Sequence, residues 1–462
     1  MDKLNNKRIV MVLVVLAAVL LAYLFPYYCR VLSFPHTIGL PVGQSQAVHF
    51  KLPLLAQVRL LKGSGLKLNQ IRLTNKPIAI NLARPLMLET ADIGQSEMEF
   101  SLFGIPWRRV LVQGKIPDKV VPGGHAVGVL LTSEGIIVVG YDNVSGPNTN
   151  YLSPAREAGI QPGDLILQAD GITLLTVADL VRAVDQAGHE GRSLAVQIRR
   201  GTETREISLM PVQTAKGNFR IGLYVRDGTN GVGTMSFYDP STGFFGALGH
   251  VVTDVDTGTT LMIRHGSIVK ALISSINVGI RGQPGEKIGV FQPGDGNWGT
   301  IIANTDFGIF GRLEKPLENP YFMEAIPVAL AGEVYPGPAE MYTVLERDRI
   351  EKFQVEIERV INQYSPSDKG MVLRITDPRL LEKAGGIVQG MSGSPIIQNG
   401  KLAGIVTHVF VNDPSRGFGI LAEWMVEKGK TIWEGAEKAP LSFRMFLPSK
   451  EDYGKQLSNT SC

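Results

Sequence analysis

Ser392 stands in Gly390-Met391-Ser392-Gly393-Ser394-Pro395, and this is the sharpest chemical signal in the chain. A serine bracketed by glycines lets the main chain curl, exposing the hydroxyl and turning neighbouring N–H groups toward one point. Acyl transfer needs that geometry: an exposed Oγ beside backbone donors able to hold an oxyanion. A hydroxyl is a weak nucleophile unless a base takes its proton, and histidine has the suitable pKa. Between residues 214 and 450 the candidates are His250, His265 and His408. His250 closes Gly246-Ala247-Leu248-Gly249-His250, framed by small residues and well upstream of the serine. An acid to orient the imidazole has two candidates. Asp306 opens a strand in Asn304-Thr305-Asp306-Phe307, and Asp377 lies in Ile375-Thr376-Asp377-Pro378, close before Ser392. Spacing does not choose between them.

These residues need a scaffold that brings distant segments together. After the serine, Asn399-Gly400 is a hairpin signal, and Leu402-Ala403-Gly404-Ile405-Val406-Thr407-His408 reads as the strand that follows. The block resembles that of trypsin-like serine peptidases, Gly-x-Ser-Gly-Gly-Pro followed by a hairpin and a pocket strand. The resemblance implies a double β-barrel over 214–450 with Ser392 as nucleophile and the N–H groups of Gly390 and Ser392 as oxyanion hole. His250 matches that family's Ala-Ala-His context, and His408 reads as a pocket or structural residue. Thr407 falls where the family places a serine near the catalytic aspartate. Two departures stand out: Ser394 replaces the second glycine and is a competing hydroxyl, and Met391 replaces the acidic residue of zymogen-activated members.

Composition bounds the rest. The 462 residues leave room for two or three domains. Lys+Arg 46 against Asp+Glu 43 leaves a net charge of +3, too balanced for a nucleic-acid binder. With 52 glycines and short apolar runs between them, the chain reads as mainly β with many tight turns. Cys29 and Cys462 are too far apart for a cysteine-clustered metal site, the histidines are scattered, and there is no HExxH. No metal or other cofactor is expected.

At the N-terminus Lys3, Lys7 and Arg8 precede an apolar run over residues 9–25, closed by Pro26. The basic flank and the length read as a membrane segment in 1–30 with the rest of the chain outside the cytoplasm. No small-x-small cleavage site follows cleanly, so a retained anchor is expected. Residues 31–107 alternate apolar and polar residues as short strands and carry no readable chemistry. Residues 451–462 are a polar tail.

Between 108 and 213 the order of elements is distinctive. Gly124-His125-Ala126-Val127-Gly128-Val129 enters a strand, and Ser153-Pro154-Ala155-Arg156-Glu157-Ala158-Gly159 is a capped short helix. Ile160-Gln161-Pro162-Gly163-Asp164-Leu165-Ile166-Leu167 turns into another strand, and a helix follows from Thr176 with Val177, Leu180, Val181 and Val184 on one face. Together they resemble a PDZ domain. That resemblance implies a peptide ligand added as a strand, with Val127, Gly128 and Val129 as the carboxylate-binding turn and Val177, Val181 and Val184 lining the groove.

Anchor, then PDZ, then peptidase, together with Ile375-Thr376-Asp377-Pro378, the Ser392 block and Thr407-His408-Val409-Phe410-Val411-Asn412-Asp413-Pro414, resembles the stage IV sporulation protein B family. The resemblance selects Asp377 over Asp306, giving a triad of His250, Asp377 and Ser392. It implies a self-cleaving serine endopeptidase exported to the space between forespore and mother-cell membranes. There it would cleave a membrane-embedded inhibitor, freeing an intramembrane protease to process the mother-cell sigma factor. The alternative of another class is a PDZ adaptor whose peptidase-like domain is an inactive scaffold.

Overall fold

The computed structural model describes residues 34, 36–50, 52–145, 153–291, 296–361 and 366–438. The apolar run at 9–25 and the tail at 451–462 lie outside the described residues. Among the described residues no helix is long and apolar enough to cross a membrane. The chain divides into two compact units, one built on residues up to 118 with the short segments 328–335 and 360–366, the other on the remainder.

Among the described residues of 34–118, the first unit is built of strands and turns, as the alternation over 31–107 implies. In Leu55–Lys62, Ala56 and Val58 point inward while Leu55 and Gln57 are exposed, the two-residue period of a half-buried strand. Its five-stranded sheet runs Thr37–Pro41, Ile105–Lys115, Gly94–Leu102, Leu55–Lys62, Ile78–Asn81, and a four-stranded sheet accompanies it. The core holds Leu40, Val58, Met98 and an aromatic cluster in which Phe34 stacks on Phe50 at 4.5 Å.

The second unit contains two barrels. Six strands form a ring in the order Ala126–Tyr141, Ile263–Asn277, Asn297–Thr305, Gly308–Leu313, Phe244–Ala247, Leu223–Tyr238. The ring closes because the last of these pairs with the first. Val127, Val129, Leu131, Met235, Phe245, Ile268 and Ile309 fill its interior. The second barrel is closed in the order Gly337–Glu346, Arg349–Val360, Met371–Ile375, Asp413–Leu421, Lys401–Phe410, Pro395–Gln398.

The PDZ-like elements do not precede this pair of barrels; they are inserted into the first. Ala126–Tyr141 and Leu223–Tyr238 are each 16 residues long, twice the span a small barrel uses. Over 126–132 and 228–234 they pair as barrel wall, and after a bulge they pair again over 137–141 and 223–226. Strands Leu165–Ala169, Leu194–Arg200 and Glu203–Leu209 and helix Val177–His189 complete this second layer. Its own core contains Ile136, Val138, Ile166, Leu180, Val184 and Ile198. The structure thus departs from boundaries of 108–213 and 214–450, because residues 126–132 are wall of the first barrel.

Between the barrels lies a buried amine. Lys287, in strand Glu286–Phe291, is 1% exposed, and its Nζ donates to Thr343 Oγ1 at 2.8 Å. A single neutral acceptor replaces water poorly, and burial holds the amine down to about 7 from its ordinary 10.5. Unfolded, the amine keeps its proton up to the ordinary value, so between about pH 7 and 10.5 the unfolded chain binds more protons and stability rises with pH. Stability is fullest above that window and is lost as pH falls through the lower value. Lys287→Met should therefore flatten the pH dependence of urea unfolding between pH 7 and 9 and raise the midpoint at pH 7. An unchanged slope would mean that the amine keeps its proton in the folded chain.

Candidate functional site

Gly390 (φ 89°) and Gly393 (φ 100°) both adopt left-handed backbone, which curls the turn around Ser392. Gly393 N–H donates to Val406 O at 2.8 Å and Ser394 N–H to Met391 O at 3.0 Å. Among the described residues, the N–H groups of Gly390 and Ser392 have no main-chain acceptor. Two unspent donors flank the serine, the arrangement an oxyanion requires. The turn is docked on the first barrel: Thr234 N–H donates to Ser392 O at 3.0 Å and Thr234 Oγ1 to Gly390 O at 2.7 Å. Beneath it, a Cβ on Gly390 would stand 3.1 Å from the Lys287 stem. Ser392 Oγ donates to Thr407 O at 2.8 Å. Ser394, the competing hydroxyl, is fully buried, 2.6 Å from Met391 O and 3.0 Å from Thr343 Oγ1, and faces no open space.

His250 follows strand Phe244–Ala247, where Leu248 (φ 70°) and Gly249 (φ 74°) swing the chain away from the barrel wall. A Cβ on Gly249 would stand 3.0 Å from Thr407 Cγ2, so the histidine segment lies against the strand that follows the serine. His250 Nδ1 lies 2.8 Å from Val251 O. A carbonyl only accepts, so Nδ1 carries the proton and Nε2 keeps the lone pair of a base. The carbonyl is itself held: Asn304 Oδ1 accepts from Val252 N–H at 2.8 Å, and its Nδ2 donates to Val252 O at 2.8 Å and Leu261 O at 3.1 Å. Burial pushes the His250 pKa below its ordinary value, opposed by the Val251 carbonyl and the Asp368 carboxylate. The base is therefore neutral at physiological pH.

Neither expected acid reaches this histidine. Asp377 caps helix Pro378–Ala384. Its Oδ1 accepts from Arg379 N–H at 3.0 Å and Nε at 3.1 Å, and its Oδ2 from Gln354 N–H at 3.2 Å and Arg379 Nη2 at 2.8 Å. A carboxylate has about four lone-pair positions, and all four are occupied. The Arg379 guanidinium also holds the carboxyl below its ordinary range. Asp377, expected to form a triad with His250 and Ser392, is thus a helix cap whose carboxylate is taken up by Arg379 and Gln354. Asp306 is exposed in the hairpin between Asn297–Thr305 and Gly308–Leu313. The neighbouring Asn304, in the same motif, holds the main chain just after the histidine through Val252. His265 is an exposed residue of strand Ile263–Asn277. His408 lies beside the site, its ring 5.1 Å from that of His250.

The PDZ-like layer is also corrected. Val127, Gly128 and Val129 do not form a carboxylate-binding turn. They are barrel wall, paired on one side with 231–233 and on the other with 268–270. A Cβ on Gly128 would strike the Phe291 ring at 2.6 Å. Val184 is core and Val177 packs against that core, while Val181 is half exposed. The available strand edge lies elsewhere. Residues 223–226 pair on one side with 137–141, and among the described residues no strand pairs on the other. Helix Val177–His189 is held alongside by Val177 N–H to Asp227 Oδ2 at 3.0 Å and Phe219 N–H to Asp185 Oδ1 at 2.8 Å. Phe219-Arg220-Ile221-Gly222, with Gly222 at φ 75°, enters that edge. The same apolar-glycine-strand pattern that marked 124–131 recurs there, and was the signal to read.

Gly393 has no room for a side chain: a Cβ would stand 1.9 Å from Thr234 O and 2.7 Å from Leu248 N. Gly393→Ala should lower the stability of the folded chain by about 2 kcal/mol or more, from the clash and the left-handed backbone together. Urea unfolding checks it, and a loss under about 0.5 kcal/mol, the range of a neutral surface change, would contradict this docking.

Residues 217–426 match the family described as SpoIVB peptidase S55, and residues 153–200 match a PDZ domain. Two Xylella fastidiosa proteins named "Putative zinc metalloprotease", of strains Temecula1 and 9a5c, are 33% identical over 72 residues, 16% of this chain and 16% of theirs. The chain thus spans about a sixth of the length of these curated relatives. Among the described residues there is no cluster of three or more His, Cys, Asp or Glu that could hold a metal ion. The PDZ domain of the SdrC-like protein of Listeria monocytogenes is similar over 21% of this chain and 90% of its own, with 19% identity and a TM-score of 0.17. The active form of the Rv3671c protease of M. tuberculosis is similar over 44% of this chain and 74% of its own, with 16% identity and a TM-score of 0.27. Residues 217–426 are thus a serine peptidase domain similar to the SpoIVB peptidase S55 family, in a chain that also carries a PDZ domain.

Proposed function

We propose that the chain is a membrane-anchored, self-cleaving serine endopeptidase of sporulation signalling, whose further substrate is a membrane-embedded inhibitor of an intramembrane protease. The observation that carries the enzymatic part is the turn at 390–393, where among the described residues the N–H groups of Gly390 and Ser392 have no main-chain acceptor. The family match over 217–426 supports the sporulation role. The apolar run after Lys3, Lys7 and Arg8 supports the anchor and a catalytic part outside the cytoplasm.

In this reading Ser392 Oγ attacks the scissile carbonyl carbon as its proton passes to His250 Nε2. The carbonyl oxygen becomes an oxyanion and takes hydrogen bonds from Gly390 and Ser392 N–H. Collapse breaks the C–N bond, and the His250 proton leaves with the amine. Water then attacks the acyl-Ser392, giving its proton to His250, which returns it to Ser392 as the acid departs. Before the first step the hydroxyl has to turn from the Thr407 carbonyl, where it donates now. That bond favours slow turnover on generic peptides. The PDZ module takes a polypeptide segment as a strand along 223–226, between that edge and helix Val177–His189.

The test is active-site labelling of the full-length chain with a fluorophosphonate, beside Ser392→Ala. Labelling of the wild type alone, with fragments accumulating over time in that sample, is the expected outcome. Equal labelling of both chains, or none in either while the chain stays intact, would favour an inactive scaffold that presents a PDZ domain.

A further inference from the structure

Among the described residues no carboxylate is bonded to His250, and Asp377 and Asp306 are both placed elsewhere. One carboxylate, that of Asp368, lies beside His408. Asp368 Oδ2 lies 3.9 Å from His408 Nδ1, a charge contact rather than a hydrogen bond. His408 Nδ1 is buried and has no hydrogen-bond partner. The His408 and His250 rings lie 5.1 Å apart at 39°. The Asp368 segment is tied to the site by its main chain: Asp368 O accepts from Thr407 Oγ1 at 3.0 Å, and Thr407 O is the acceptor of the Ser392 hydroxyl. Oδ1 accepts from Ser367 Oγ at 3.3 Å, leaving Oδ2 toward His408.

We infer that Asp368 and His408 are positioning residues for His250, a carboxylate and a second imidazole that together stabilise the imidazolium formed when Ser392 is deprotonated. This rests on the serine-peptidase reading and names the acid of that same site. When Ser392 gives up its proton, a positive charge appears on a largely buried ring. The Val251 carbonyl offsets part of it through Nδ1–H. A His408 that directs its own Nδ1–H toward Asp368 stays neutral and presents no like charge. Burial and the neighbouring His250 both hold the His408 pKa below its ordinary value. The remaining charged group is Lys369, which opposes a positive His408 and lies over the Phe418 ring at 5.5 Å. Asp368 is thus the negative charge that can act on both rings, and it raises the pKa of each.

The sign of the pH effect follows. The labelling rate should rise with pH as His250 loses its proton. Removing the Asp368 charge lowers the His250 pKa further, so the acid limb moves to lower pH while the plateau falls. A helix cap or a loop prop would lower the plateau without moving the limb.

The experiment measures fluorophosphonate labelling rates of the full-length chain from pH 4.5 to 9. Variants are Asp368→Asn, Asp368→Glu, His408→Gln, the double Asp368→Asn/His408→Gln, and Asp377→Asn, with thermal unfolding beside each. Asp368→Asn should label about tenfold or more slowly at the plateau, part of what a general base contributes, with its acid limb displaced to lower pH. The double variant should lose little more than either single one, as groups acting as a unit do. Asp368→Glu should recover much of the rate, which keeps the test readable if a neutral side chain disturbs the loop. An unchanged plateau and limb in Asp368→Asn, with labelling still dependent on Ser392, overturns this inference and leaves the serine-peptidase reading standing. Loss confined to Asp377→Asn overturns it as well. Labelling that does not depend on Ser392 removes both.

Discussion

The site depends on one close approach, that of the turn at 390–393 to Thr234 and Leu248. Gly393 is pressed against Thr234 O and Leu248 N with no space for a methyl group. Thr234 takes up the carbonyls of Ser392 and Gly390. Of the N–H groups beside those carbonyls, that of Met391 donates to Val388 O, while those of Gly390 and Ser392 have no main-chain acceptor among the described residues. The shape of the turn is therefore set by docking between barrels as well as by its own glycines. Leu248 belongs to the same contact, and two residues later comes His250. One packing constraint thus brings the Ser392 turn and the His250 segment together, although they lie more than a hundred residues apart in the chain.

The second organising feature is the ladder shared by Ala126–Tyr141 and Leu223–Tyr238. Its lower part is barrel wall and its upper part is PDZ sheet. The two layers also touch beside the histidine segment: Arg226, at the end of the open PDZ edge, pairs through Nε with Asp254 at 3.0 Å, and Gly163 faces Thr259. Asp254 in turn accepts from Thr257 N–H and Oγ1, shaping the loop after His250. The PDZ layer is consequently part of the wall against which that loop is formed, rather than a module on a tether.

What was legible in the sequence was local. The Ser392 block and the Gly-His250 segment carry their chemistry within a few residues, and the structure brings both to one place. The helix over 177–189 was visible from its apolar face, and the structure adds a capping box of Thr176 and Asp179 at its start. Asp377 shows the limit of the same approach. An aspartate directly before Pro378 and two residues before Arg379 is a helix-start signal as much as a catalytic one, and the capping reading describes its bonds. The insertion of the PDZ elements was not legible, because whether 126–132 pairs with 231–233 or with a peptide is decided a hundred residues later. Asn304, Asp368 and His408 belong to the same class: each acts across strands, where no spacing rule reaches.

Electrostatics closes the argument about the acid. Burial lowers the pKa of His250, His408 and Lys287 alike, so the ground between the barrels disfavours positive charge. That is useful for a base, which has to be neutral before it accepts a proton. It is costly for the step that follows, because the imidazolium is formed in the same poorly solvated place. A main-chain carbonyl at Nδ1 fixes the tautomer but carries only a partial charge, which offsets part of that cost. A full negative charge within reach of the ring pair completes the balance, provided it is not already spent. Asp377 is spent on Arg379 and Gln354, whereas Asp368 turns one oxygen toward a buried imidazole nitrogen that has no other partner.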